Sequence, residues 1–363
     1  MIKKILLLLL IPFILTACSK NNCEEIVFSS WGSITEVEIL KKIITDYEKE
    51  NPNVKIKFLH IPQNYFQKIH LLFASKTEPD VIFINNFYLP VYSSFLEELT
   101  DKVDTEEFFI QSIDAMSQNG KLYAIPRDLS FFVFYVNTDL VNLPPNNWKL
   151  EDLIKFSKSD KLKNRYTIGY EKGIYYALPY LKYFGGGILN DLGEEIINTE
   201  NSLAGIKFYK ELKDKYKIAP QESDIGSMTV AQMFLNQKIA FYLSGRWIYP
   251  KISEKASFNW AVVNFPYGKL PIPCDTSGWA VSKNSKHKET AIDFAKFLSN
   301  EKNSKYFTET GLIIPANKKA SLLLEDKKHN EKIFIEAISH SKNTIVNRNF
   351  NRITDRINID YDL

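Results

Sequence analysis

Three cysteines in 363 residues are too few for a disulfide framework, and no C-x-x-C suggests zinc or dithiol chemistry. The five histidines, His60, His70, His287, His329 and His340, lack a metal spacing such as H-E-x-x-H and sit mostly in polar surroundings. No G-x-S-x-G marks a hydrolase nucleophile elbow, and neither a P-loop nor a G-x-G-x-x-G is present. Gly185-Gly186-Gly187 follows an aromatic run and reads as a turn rather than a phosphate cradle. An excess of one charge is also missing, with 46 basic against 43 acidic residues, so there is no electrostatic case for a nucleic-acid partner. Acidic residues are plentiful enough to leave a glycosidase carboxylate pair open, although nothing singles one out. No metal and no cofactor is expected.

What remains is an ordinary globular composition, 45% hydrophobic and 25% charged, which excludes wholesale disorder and fibrous classes. At roughly 150 residues per domain the length suggests two domains, each able to bury a core. Aromatic residues reach a high 13%, and the surplus must sit either in cores or on a binding surface. Residues 1–17 read as a signal peptide: Lys3 and Lys4 precede an apolar run from Ile5 to Leu15, too short for the roughly 20 residues of a spanning helix. Leu15-Thr16-Ala17-Cys18 fits a bacterial lipobox, making Cys18 the lipidated first residue of the mature chain and 18–23 its tether. The protein is therefore expected to be anchored to a membrane and to work outside the cytoplasm. Cys23 and Cys274 are either bridged or two unmodified thiols.

Hydrophobic periodicity supplies the elements. Ser33-Ile34-Thr35-Glu36 has capping-box spacing, and Val37, Leu40, Ile44 and Tyr47 continue a helix to Glu50. Val54, Ile56 and Phe58 alternate as a strand, Tyr65 to Ser75 is helical, and Val81 to Ile84 is a buried strand. Phe131 to Val136, Ile239 to Leu243, Trp260 to Val263 and Gly278 to Val281 read as strands. Trp148 to Ser157, Ser202 to Tyr216 and Lys288 to Leu298 read as helices. Such alternation predicts an α/β fold with a mainly parallel sheet. The absence of a Gly/Ser linker suggests that the chain crosses between its two domains more than once.

Nine segments then occur in order: the lipobox, "NPNVKIKF", "TEPDVIFINN", "NGKLYAIPRD" running into "FYVNTDL", "FGGGILND", "SLAGIKFYKEL", "FYLSGRW", "DTSGWAVSK" and "TGLIIPANK". From Cys18 to about Lys318 the chain resembles the extracellular solute-binding proteins, family 1, which feed sugar-importing ABC transporters. The resemblance implies a two-lobed periplasmic-binding-protein-like (type II) fold that closes on its ligand about hinge crossings. It places lobe I at 24–130 and 277–315 and lobe II at 131–276 and 316–363. Crossings are expected near Leu129 to Phe132, Cys274 to Ser277, and Pro315. Family members usually continue well past the position of Leu363, with further helices on the second lobe. The chain is either short by nature or stops early, and an early stop would leave apolar surface uncovered.

A sugar presents apolar C–H faces and a ring of hydroxyls, so its site needs aromatic platforms and planar polar groups in the loops at the carboxyl ends of strands. Trp31, with Ser30 before it, sits at such an end and fits either ring stacking or packing between elements. Asn85 and Asn86 follow the strand to Ile84 and are either hydroxyl-recognising amides or turn residues. Arg127 and Asp128 lie beside the first crossing, to bind ligand or to hold the hinge. Tyr183 and Gly186 match a stretch that borders the ligand in the family, or else form a tight turn. Gly245-Arg246-Trp247 combines a stacking ring with a forked donor. Ser277 and Trp279 offer a second aromatic near the hinge, whereas Trp148 and Trp260 read as core.

The function expected from this reading is capture of a small-molecule carbohydrate and its delivery to the transmembrane subunits of an ABC permease, by a monomer, without chemistry. Three other readings stay open. One is a phosphorylated polyol such as glycerol 3-phosphate, held by Arg127 and Arg246. The others are a surface carbohydrate-processing lipoprotein and a ligand-free adhesin.

Overall fold

The structure, a computed structural model, describes residues 23–324 and 328–363. The expected leader and the expected lipidation site at Cys18 lie outside the described residues. The chain opens with β1 (Glu24–Ser30), α1 (Ile34–Glu50), β2 (Val54–His60), α2 (Tyr65–Ala74) and β3 (Val81–Asn85). A small hairpin, β4 (Ser117–Gln118) and β5 (Lys121–Leu122), precedes β6 (Ala124–Ser130), and β7 (Val133–Asn137) follows almost at once. Next come β8 (Tyr166–Ile168), α3 (Ile174–Tyr183), α4 (Glu200–Asp214), β9 (Ile239–Ser244), α5 (Tyr249–Lys255) and β10 (Trp260–Asn264). The long strand β11 (Ile272–Val281) leads to α6 (Lys288–Ser299), α7 (Glu301–Glu309), β12 (Ile314–Pro315), β13 (Ser341–Asn343) and α8 (Phe350–Asp360).

Two sheets organise these elements. The first has the order β12-β6-β11-β3-β1-β2, with β13 added along β11, and the second has the order β10-β7-β9-β8. Each sheet owns a core. One core gathers apolar residues from Ile26 to Ile125 and from Trp279 to Ala316. The other gathers Leu129 to Cys274, Ile314, and Leu324 to Leu363. The chain passes between sheets at Phe131 and Phe132, and again where β11 leaves β13 after Cys274 and takes up β6 at Asp275. A third passage runs from Pro315 through Asn317, which still bridges Phe108, to Leu324 in the second core. The architecture is thus the two-lobed α/β fold with crossings that the resemblance implied.

The expectation of a mainly parallel sheet is corrected. Among the described residues only β1 with β2 and β3, β8 with β9, and β11 with β13 run parallel. β11 is antiparallel to both β3 and β6, and β7 is antiparallel to β9 and β10. The cause is the crossings: a strand that returns from the other lobe enters the sheet from the opposite end, without the crossover helix that makes neighbours parallel. The helix expected at Trp148 to Ser157 shrinks to Asp152–Phe156, and the strand expected at Gly278 to Val281 is ten residues long.

Local sequence explains the first lobe's start. Ser33 accepts from the Glu36 amide at 3.3 Å, and Ile39, Leu40, Ile43, Ile44 and Tyr47 bury one face of α1. Glu36 does not complete the capping box, because its carboxylate turns to Arg127. On β6 the pairing with β11 skips a residue, Ser277 facing Asp128 and Gly278 facing Pro126. Pro126 has no amide to donate, so the strand bulges there and Arg127 is turned inward. Gly278 is required at this point, since a Cβ would lie 2.4 Å from the Ile125 carbonyl oxygen. Cys23 is exposed and Cys274 buried, both as free thiols, so the unbridged reading holds. Leu363 is buried, while Ile359 on α8 is exposed.

Trp279 is fully buried, edge-on to Phe28 at 5.3 Å and to Phe83 at 5.8 Å. Trp279→Ala should therefore cost about 3–5 kcal/mol of stability, read as a lower urea midpoint. A ligand-contact role would instead show as lost affinity at unchanged stability.

Candidate functional site

The carboxyl ends of β1, β3, β8 and β9 bring loops from the two lobes toward each other. Phe87, two residues beyond β3, packs its ring 5.1 Å from Tyr175 at the start of α3. Phe350 of α8 stacks on Phe87 at 5.3 Å, and Asn351 donates to the Phe87 carbonyl at 3.2 Å. The crossing residue Phe132 contacts Tyr176 at 5.4 Å and Trp247 at 5.8 Å. Trp247 is 44% exposed, and Trp31, at the end of β1, is 42% exposed with one side against Phe83. Both lobes therefore offer open aromatic faces at strand ends, as ring stacking requires.

Polar groups accompany these rings. Asn85 is half-buried and accepts from the Tyr88 amide at 3.3 Å, in an Asx turn that leaves its amide nitrogen free of that bond. Asp128 accepts from the amide and hydroxyl of Ser277, the latter at 2.8 Å, and burial pushes its carboxyl up despite the neighbouring Arg127. Glu171, in the loop after β8, is also pushed up by burial and bonds the Tyr242 hydroxyl.

Several expected ligand contacts are corrected. Ser30 is fully buried and donates to the Trp31 carbonyl. Asn86 is buried and spends both ends of its amide on β11, donating to Asp275 and accepting from the Thr276 amide, each at 3.2 Å. Arg127, 5% exposed, pairs with Glu36 at 2.6 Å and lies over the ring of Phe307 at 4.7 Å. Arg246, 3% exposed, pairs with Glu331 at 2.7 Å and donates to the Ile313 and Thr308 carbonyls, latching the second lobe to the first. Gly245 lets the Trp247 ring fold back over it, and its carbonyl accepts from Tyr135. Ser277 and Trp279 serve the first lobe's interior.

Tyr183 and Gly186 lie at the wrong end of α3. Nine residues separate Tyr183 from Ile174, about 13 Å along the helix, and its hydroxyl bonds Glu151. A Cβ on Gly186 would sit 2.6 Å from the Ser202 backbone, so that glycine serves helix packing. The aromatic pair that does reach the gap is Tyr175-Tyr176. The rule applied to Trp31 would have found it, had the three-residue strand β8 been long enough to show a period.

A notch of about 370 Å³ lies beside the Arg246 latch, lined by Tyr249, Glu254, Glu309 and Glu331 among others. Its carboxylates surround a guanidinium that is already paired, and the open aromatic faces lie elsewhere. No cluster suited to a metal ion occurs among the described residues.

A sequence profile of the family described as bacterial extracellular solute-binding protein matches residues 42–335. The chain is 27% identical over 327 residues to a galactooligosaccharide-binding protein of Bacillus subtilis, covering 84% of this chain and 75% of the relative. It is 24% identical to the maltodextrin-binding protein MdxE of Bacillus subtilis, covering 81% and 74%. Among solved structures, the ABC substrate-binding protein Lmo0181 from Listeria monocytogenes, in complex with cycloalternan, superposes with a TM-score of 0.84 at 24% identity, over 93% of this chain and 92% of that one. Maltose-bound MalE3 of T. maritima gives 0.79 at 20% identity over 93% of each.

Two substitutions separate latch from platform. Arg246→Met strands Glu331 in the interior and should cost about 3–5 kcal/mol of stability. Trp247→Ala should leave the thermal midpoint within a few degrees and weaken ligand binding by about tenfold, a loss near 1.4 kcal/mol, measured by titration calorimetry.

Proposed function

Because the chain belongs to the bacterial extracellular solute-binding protein family, we propose that it captures a neutral oligosaccharide between its lobes and presents it to an ABC permease. The observation that carries this reading is the pair of open aromatic faces, Trp31 from one lobe and Trp247 with Tyr176 from the other, at the facing ends of the strands. Relatives named for galactooligosaccharide and maltodextrin binding support the ligand class. Ligand touching both lobes favours the closed form by its differential affinity for that form, and closure is what the permease reads. No bond is made or broken. The leader and Cys18 supply secretion and a lipid anchor, and no described helix is long and apolar enough to cross a membrane. The anchored protein is a monomer.

Electrostatics favours neutral ligands over phosphorylated polyols. The phosphate reading relied on Arg127 and Arg246, and both guanidiniums are committed to buried carboxylates. The half-buried groups beside the gap, Asp128 and Glu171, are acidic and would repel a phosphate.

The test is thermal unfolding of the protein from Ser19 onward with maltotriose, maltohexaose, galactosyl-lactose and glycerol 3-phosphate. At one hundred times its dissociation constant a true ligand adds about 2.7 kcal/mol, which moves the midpoint by several degrees at roughly 2–4 °C per kcal/mol. We expect a neutral oligosaccharide to do so, with a smaller radius of gyration in solution scattering. A shift with glycerol 3-phosphate alone would overturn the ligand class.

A further inference from the structure

Among the described residues, each of the four most deeply buried charged side chains has a charged counterpart: Arg127 has Glu36 and Asp128, and Arg246 has Glu331. Asp275 does not. It lies on β11 where that strand passes from β13 to β6, the place where both lobes and the C-terminal segment meet. Its neighbours are polar but neutral. The Asn86 amide donates to Oδ1 at 3.2 Å, and the Thr344 hydroxyl lies beside the carboxyl. No Lys or Arg stands within ion-pair distance of it among the described residues. From α3 the phenol of Tyr175, whose ring meets Phe87 at the edge of the gap, lies close enough to feel its charge.

A half-buried carboxylate with two neutral donors and no cation has acceptor capacity left over. The gap beside Tyr175 is where a captured sugar would supply the missing donor. We propose that Asp275 is a ligand-binding carboxylate, accepting a hydroxyl hydrogen bond from the sugar directly on the crossing strand. The proposal rests on the carbohydrate reading above and goes beyond it in naming the residue that makes the site demand hydrogen-bond donors. Through Asn86 the same carboxylate is fastened to the end of β3, and the Thr344 hydroxyl beside it belongs to the C-terminal segment. A sugar bonded there engages both lobes at the pivot rather than at the rim.

The idea has a pH signature. Burial pushes the Asp275 carboxyl up to about 6. The groups that feel its charge are Tyr175, Tyr267 and Cys274, all pushed further up by burial, the first and last to about 12. On the adjoining β6 stands Asp128, a second carboxyl raised by burial but paired with Arg127. Between pH 5 and 8 neither the two phenols nor the thiol changes charge, and the Asp275→Asn variant separates the titration of Asp275 from that of Asp128. A raised carboxyl disfavours the folded protein above its pKa and ceases to do so once protonated, so acid should not weaken the fold at this site. Binding behaves oppositely. The charged carboxylate is the stronger acceptor, so affinity should fall as pH drops through about 6.

The experiment is calorimetric titration of the protein from Ser19 onward at pH 5.0 and 7.5. The probe is maltotriose or galactosyl-lactose, whichever shifts unfolding more. We expect at least fivefold weaker binding at pH 5.0. Asp275→Asn should bind at least tenfold more weakly at pH 7.5, with no pH dependence and a thermal midpoint no lower than that of the unchanged protein. A merely structural aspartate would lower the midpoint and leave the pH profile intact. Equal affinity at both pH values in the unchanged protein would overturn the proposal even if the variant failed to fold, while leaving the carbohydrate reading standing. No binding of either sugar at any pH would overturn both.

Discussion

One strand has to satisfy its backbone in two lobes at once. β11 bonds β13 through Ile272 to Cys274, then β6 from Asp275 and β3 from Ser277, so it leaves one neighbour only as it gains others. A buried amide without a partner is expensive, and this hand-over keeps the passage between lobes from stranding any. Its consequences spread outward. Trp279, four residues from the start of the first lobe's share of the strand, fills that lobe's core. Gly278 admits the Ile125 carbonyl, and Ser277 ties Asp128 to the strand. The same strand carries the residues at which the lobes pivot.

The two buried arginines follow from this arrangement. Each lies one residue from an expected ligand group, and each is turned away from the gap. The β6 bulge aims Arg127 at Glu36, coupling the crossing strand to the first turn of α1. Arg246 reaches Glu331 and two carbonyls of the other lobe. Desolvating a guanidinium is tolerable only with such partners. Once they are paired, neither remains for a phosphate, and the gap is left to aromatic faces and carboxyls that burial has pushed upward. That surface favours the neutral, hydroxyl-rich ligand proposed above over an anionic one.

Much of the fold was legible because strong local signals coincide with it. The capping serine of α1, the unbroken apolar run Val81–Ile84 and the periodic faces of α4 and α6 all sit where their patterns put them. Trp31 and Trp247 could be singled out because a large aromatic beside a strand end and a turn is costly to leave in water without a purpose. Arg127, Asn86 and Trp279 could not be sorted in the same way. A residue near a hinge looks alike in sequence whether it faces ligand or interior, and a bulge of one residue reverses its direction. Tyr175 and Tyr176 were missed because β8, which points them at the gap, is only three residues long.

The sequence by itself determined the two-lobed α/β class, the near-balance of overall charge and the supply of aromatic residues. These rest on composition, on periods of two and 3.6 residues, and on an ordered series of motifs, all properties of neighbours along the chain. Tertiary structure alone decided the strand directions, which aromatic rings stay open, and which charges are spent on one another. Those depend on residues far apart in sequence. Glu36 with Arg127, Arg246 with Glu331 and Asp275 with Asn86 are separated by roughly 90 to 190 positions, and no local pattern records such a pairing.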